Sequence, residues 1–183
     1  DLFVGEFTGG YFYGCTNLVS GVTDWNKSLS GVTYFDSLFN SCTKLRTIPP
    51  RLFRYAVNAT SFGSTFYGCQ TIPTIPSNLF DYCTGVTSFS SVFQACTGVT
   101  SIPTDIFKYN TKVTDFTGTF SAVSQSTNPS GLFNYSVNAT TFYQTFFGCV
   151  NLTTITTLFN NCTGVTSFTQ TFQGCSKLTT IPS

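Results

Sequence analysis

Eight cysteines, seven carboxylates and no histidine make up the reactive inventory of this 183-residue sequence. Cysteine can close a disulfide, hold zinc or act as a nucleophile. Two carboxylates sharing a cleft can divide the work of a general acid and a general base. The spacing argues against each of these. Zinc sites draw on closely spaced Cys and His ligands, and here there is no C-x2-C pair and no histidine. The commonest general base is therefore missing. Asp1, Glu6, Asp24, Asp36, Asp81, Asp105 and Asp115 are scattered over different local contexts, and no glycine loop suited to phosphate is present. The expectation is a chain that is not an enzyme and takes no cofactor and no metal.

What the cysteines share is a context. The stretch FDYCTGVTSFSSVFQACTGVTSIPTDIF, from Phe80 to Phe107, states it twice. Phe39, Phe53, Phe66, Phe80, Phe93, Phe107, Phe120, Phe133, Phe146, Phe159 and Phe172 recur at a step of 13 or 14 in sequence number, and Phe12 and Trp25 extend the row backwards. Three residues after each stands a small residue. Eight times it is cysteine; elsewhere it is Ser28, Ala56, Asn110, Val123 or Ser136. A slot that accepts Ala, Ser, Val and Asn as readily as Cys is a packing site, where a thiol serves as a compact apolar group. Cys83 and Cys162 have no cysteine in the neighbouring repeats of their own column. A ladder in which all eight thiols are reduced and face inward is the reading this favours. A disulfide between stacked neighbours such as Cys42 and Cys69 is the alternative that spacing permits.

Nine residues after each Phe, isoleucine and phenylalanine alternate: Ile48, Phe62, Ile75, Phe89, Ile102, Phe116. The true period is a pair of half-repeats with a step of 26 or 27, and residues 1–183 form one repeat domain. A unit of this size cannot bury its own apolar face, and stacking neighbours does so instead. The sequence therefore predicts a β-solenoid. Val-Thr-Ser-Phe and Leu-Thr-Thr-Ile have strand-favouring residues. SSVFQAC and TQTFQGC suit a single helical or 3-10 turn, and Gly68, Gly148 and Gly174 suit a tight turn before Cys. The repeated Phe should stack into two interior columns at the strand spacing of about 4.8 Å.

The residues LTTIPS and LFNNCTGVTSFTQTFQGCSKLTTIP resemble the BspA-like leucine-rich-repeat surface proteins, whose repeat carries a similar A-F-x-x-C-x-x-L-x-x-I pattern and an Ile-Pro step. They are also similar to repeats of bacterial surface lipoproteins and phage tail-fibre proteins. The resemblance covers nearly the whole chain. It implies a leucine-rich-repeat-like right-handed coil with an extracellular adhesive or receptor-binding role, on a cell surface or a virion. In leucine-rich repeats a Cys-or-Asn slot turns inward beneath a loop, and Asn110 fits that slot.

Two stripes are candidate surfaces. Tyr55, Tyr82, Tyr109 and Tyr135 each lie two residues after a Phe of one column, with Arg54, Asp81, Lys108 and Asn134 beside them. An aromatic edge with polar partners suits a host-cell protein or glycan receptor; rings that merely cover the core edge are the plainer reading. Thr47, Thr74, Ser101, Thr154 and Thr180 form one hydroxyl row, and Ser61, Ser88, Asp115, Thr141 and Ser167 another. Such rows leave ice binding as a third option, after adhesion and a structural spacer or self-assembling scaffold. The stretch Ser121 to Phe133 loses both the Cys and the Ile-Pro and reads as a loop. Sequons occur at Asn26, Asn58, Asn134, Asn138, Asn151 and Asn161; several are expected by chance in a chain this rich in Thr and Ser, so they do not establish a eukaryotic source.

Charged residues are 8% of the chain and its net charge is +1, against roughly 25% charged residues in an average soluble protein. Nothing marks a nucleic-acid partner, and no apolar run approaches the roughly 20 residues of a membrane span. The final LTTIPS stops partway into a repeat, so the expectation is a segment of a longer array, with other subunits of a fibre or surface assembly as candidate neighbours.

Overall fold

The computed structural model describes residues 9–20 and 27–181. Asp1, Glu6, Asp24, Trp25 and the sequon residue Asn26 lie outside the described residues. In Val86-Thr87-Ser88-Phe89, Val86 and Phe89 are both buried while Thr87 is exposed, a spacing that departs from the strict alternation of an extended strand. Parallel bridges join Tyr34 to Ser61, Ser61 to Ser88, Ser88 to Asp115, Asp115 to Thr141 and Thr141 to Ser167. On the Ile-containing side they join Ser20 to Thr47 and Thr154 to Thr180. The step between bridged partners is 27 up to Asp115 and 26 beyond it. The lost residue falls in the irregular stretch between Phe120 and Phe133. Each bridge is isolated, so the expected short strands shrink to single paired positions. The reason is local: turns follow closely on each bridge.

Those turns differ from the helical or 3-10 piece expected. In Phe89–Cys96, the amides of Val92, Gln94 and Cys96 do donate three residues back, to Phe89, Ser91 and Phe93. Ser91 and Ala95, however, have φ of 55° and 59°, which interrupts any right-handed helix. The intervening amides of Phe89, Ser91, Phe93 and Ala95 turn outward and donate to Asp115, Thr117, Thr119 and Ser121 of the next repeat. The ribbon recurs: Phe62, Ser64, Phe66 and Gly68 donate to Ser88, Ser90, Val92 and Gln94. Gly68 and Gly148, both at φ 68°, occupy the left-handed position that Ala95 fills under strain. Among the described residues only Lys27–Gly31 forms a 3-10 helix.

The turn of the other half-repeat keeps its backbone bonds local: Leu52 to Pro49, Arg54 to Arg51 and Ala56 to Phe53. It is tied to its neighbours chiefly by side chains. Phe53 and Phe80 stack with ring centres 5.9 Å apart and planes 4° from parallel; Phe107 and Phe133 do so at 6.1 Å. The second column runs from Phe12 and Phe39 at 5.3 Å through Phe66 and Phe93 at 5.6 Å to Phe146 and Phe172 at 5.7 Å. The structure adds a third column to the two expected. Phe35, Phe62, Phe89, Phe116, Phe142 and Phe168 stack among themselves and wedge against the first, as Phe62 does against Phe53 at 4.6 Å.

The stacked rings from Phe35 to Phe133 are buried, whereas Phe168 is 47% exposed. Truncating a buried Phe to Ala costs about 3–5 kcal/mol. Phe89→Ala should therefore lose most of that range in urea denaturation, and Phe168→Ala much less. Equal losses at the two positions would contradict the three-column core.

Candidate functional site

The cysteine slot is more than a space filler. The Cys42 thiol donates to the Phe12 carbonyl at 3.0 Å, Cys69 to Phe39 at 3.1 Å and Cys96 to Phe66 at 3.0 Å. Cys149 and Cys175 repeat this toward Phe120 and Phe146 at 3.1 Å. In the other half-repeat the reach is longer: Cys83 to Phe53 at 3.6 Å and Cys162 to Phe133 at 3.7 Å. Asn110 takes the slot with an amide that donates to the Phe80 and Cys83 carbonyls. Each of these thiols brings a second donor to a carbonyl that already accepts an amide from within its own turn, which a small side chain with a weak S–H donor can do without crowding. Buried Thr65, Thr119, Thr145 and Thr171, each immediately before a Phe, act in the same way. Their hydroxyls donate to carbonyls of adjacent repeats and, in most cases, of their own.

All eight cysteines are free thiols. Seven are buried and Cys15 is exposed, which corrects the expectation that all eight face inward. Burial pushes the thiols of Cys83, Cys96 and Cys149 up to about 12 and that of Cys162 to about 11. A thiol held this far up is a poor nucleophile and a poor metal ligand at neutral pH. Among the described residues no cluster of Cys, Asp and Glu is placed to hold a metal.

The row of Ser61, Ser88, Asp115, Thr141 and Ser167 lies where the bridges run and is tied by hydrogen bonds, whereas Thr47, Thr74, Ser101 and Thr180 of the other row are exposed. Asp36 accepts from the Ser61 hydroxyl and the Gly63 amide, both at 2.6 Å. Asp115 accepts from Ser88 at 3.1 Å and from the Thr117 amide at 2.8 Å. A neighbouring row of pure threonine, Thr60, Thr87, Thr114, Thr140 and Thr166, escapes the sequence reading. Each hydroxyl donates to the carbonyl of the preceding member, starting from Thr33. Its signal is nonetheless there: Thr stands two residues before Phe35, Phe62, Phe89, Phe116, Phe142 and Phe168. In the stretch Ser121 to Phe133, Gln125 is buried and its Oε1 accepts the Ile102 amide at 2.9 Å, standing in for a backbone carbonyl.

Three of the four tyrosines of the predicted edge are open to solvent. Tyr82, Tyr109 and Tyr135 are 47%, 48% and 46% exposed; Tyr55 is half-buried against the core. The Arg54 guanidinium sits 4.7 Å from the centre of the Tyr55 ring, and the Lys108 ammonium 5.2 Å from that of Tyr109. Asp81 lies between them in the order of repeats. Burial and the nearby Asp105 raise its carboxyl above the usual range, against the opposing pull of Arg51 and Lys108. The four tyrosines stand at equivalent places in successive repeats, two residues after Phe53, Phe80, Phe107 and Phe133. A separate apolar groove of about 630 Å³ is lined by Ile155, Leu158, Phe159, Phe168, Phe172 and Ile181, together with Gln170 and Gln173.

Residues 60–182, which hold most of these stacked repeats, match the family model described as Mycoplasma protein of unknown function, DUF285. The chain belongs to the DUF285 family. No curated protein matches it. The match begins at Thr60, so the DUF285 region takes in Tyr82, Tyr109 and Tyr135 but not Arg54 or Tyr55.

Two outcomes are expected. In native protein a thiol reagent should modify Cys15 and spare the other seven; after denaturation without reductant, eight thiols should titrate. Fewer than six would revive the disulfide alternative. For Asp81, a raised carboxyl means the folded chain holds the proton more tightly than the unfolded one. Its contribution is then most favourable in acid and is lost as pH rises through the folded-state titration. Asp81→Asn should accordingly raise the unfolding midpoint at pH 7 and leave it nearly unchanged at pH 3.

Proposed function

We propose that this chain is a BspA-like leucine-rich-repeat module, a right-handed β-solenoid with a sequence step of 26 or 27 per turn. In this reading it serves adhesion or receptor binding outside the cell, on a cell surface or a viral fibre. The observation that carries it is the recurrence of tyrosine at one place in four successive repeats, with Tyr82, Tyr109 and Tyr135 exposed. Rigid aromatic rings with a polar tip give contact area at little entropic cost. The partner is a host-cell protein or glycan, and the chain performs no chemistry. The family resemblance of the repeat supports the surface role.

A structural spacer or self-assembling scaffold is the second reading. In that reading a neighbouring subunit would cover the apolar groove around Phe159, Phe168 and Phe172. Replacing Tyr82 and Tyr109 together by Ala separates the two. Exposed substitutions of this kind cost little stability, within about 0.5 kcal/mol each. An adhesive edge should lose about 2 kcal/mol or more of binding in a cell-binding and glycan screen. A spacer would bind no receptor in either form and would show its defect in assembly when the groove is altered.

A further inference from the structure

The ribbon of residues 168–174 offers hydrogen-bond donors that nothing takes. One repeat earlier, the amides of Phe142, Gln144, Phe146 and Gly148 donate to the carbonyls of Ser167, Thr169, Thr171 and Gln173. The amides of Phe168, Gln170, Phe172 and Gly174 stand in the equivalent places, and none has an acceptor among the described residues. Gln170 and Gly174 keep the positive φ of Gln144 and Gly148, at 59° and 81°, so these amides are set outward as their predecessors are. Beside them lies the apolar groove, where Phe168 and Ile181 are both exposed.

The opposite face of the stack carries the complement. Asp36 and Asn40 each accept an amide of the preceding repeat, from Gly10 and Gly14. The equivalent carbonyls of Gly9 and Tyr13 accept nothing among the described residues. Phe12 and Phe172 are the two extremes of the second ring column as described, each stacked on one neighbour. The cysteine slot shows the same mismatch. Seven thiols donate to a Phe carbonyl of the repeat before. Cys15 has no such carbonyl and is exposed, while the Phe172 carbonyl receives an amide from its own turn and no thiol.

Two donor faces brought together would leave both rows of amides unsatisfied, and two acceptor faces would do the same to their carbonyls. Only opposite faces match. We infer that the occupant of the groove is a second copy of this chain, docked head to tail in continuity with the contact that already joins each repeat to the next. In that register the second copy's Phe12 stacks on Phe172, its Gly9 and Tyr13 carbonyls accept from Gln170 and Gly174, and its Cys15 thiol donates to the Phe172 carbonyl. The inference rests on the scaffold reading above and asks nothing of the tyrosines. A contact between two different faces does not close on itself, so association continues past the dimer.

The full chain is followed by sedimentation velocity under reducing conditions, from micromolar to near-millimolar concentration. A series of species growing with concentration is expected. Labelling of Cys15 by a maleimide should slow by about tenfold or more over the same range, as docking removes its access. Phe168→Lys spoils the donor face and Cys15→Arg the acceptor face, each at an exposed position. Each variant alone should stay monomeric with a native circular dichroism spectrum. Mixed, they should form a one-to-one dimer and nothing larger, because one sound face of each kind remains. If either variant still self-associates, if mixing restores no dimer, or if Cys15 labels equally fast at all concentrations, head-to-tail docking is overturned, and self-association of the parent chain keeps the scaffold reading. A parent chain that is monomeric throughout overturns both.

Discussion

No repeat of this chain has an interior until another repeat lies against it. Its phenylalanines project toward the repeats on either side, and the rings that fill the centre belong to different repeats, as Phe35, Phe53 and Phe62 do. Each buried ring is stabilised by roughly 1.5–3 kcal/mol relative to exposure, but only once its neighbour is in place. Everything else follows from that dependence. Local turns are tolerated because the ladder between repeats holds them, and charge is dispensable because the aromatic columns supply the cohesion.

Bringing backbones so close together creates a second demand. Carbonyls of the stacked phenylalanines point into the packed interior, and the single amide from their own turn does not use their full capacity. The thiols and buried threonine hydroxyls add a further donor from the adjacent repeat. Gly98 answers the same crowding from the other side: a Cβ there would lie 2.6 Å from the Gln70 carbonyl oxygen and 2.7 Å from that of Ile72. At Ser136 that donor is lost: its buried hydroxyl has no protein partner. Serine is shorter than the cysteine whose place it takes, in a column where even cysteine reaches only 3.6 to 3.7 Å.

The Phe register, the alternating Ile and Phe, and the bridged Ser row were legible in the sequence, because each is a residue type recurring at a fixed interval. What periodicity does not encode is backbone conformation. Ser64, Ser91 and Gln144 look like ordinary polar residues, yet all three carry positive φ, so a segment that reads as a helical turn becomes a ribbon of turns. The thiol's role as donor was equally hidden, since for Cys69 and Cys96 the partner is a carbonyl 30 residues earlier in the chain. The exposure of Cys15 was missed because one place in a repeat was taken to mean one environment, whereas the described repeats at either extreme are less covered. The recurrence of tyrosine could be named from spacing, but the seating of cations on two of the rings could not.

The outward amides of the Phe-containing ribbon all point the same way, from each repeat to the next, four of them at Phe89 through Ala95 and again at Phe142 through Gly148. The bonds beside the bridges, such as Thr114 to Thr87 and Thr179 to Thr153, run in the opposite sense and are fewer. Peptide dipoles of about 3.5 D each, summed in register, give a helix its macrodipole, and the same summation applies here with a different geometry. The axis of stacking is thus electrically polar, positive toward later repeats, although the chain has almost no net charge. Such a body orients in a field and distinguishes its two directions for any charged molecule that travels along its side.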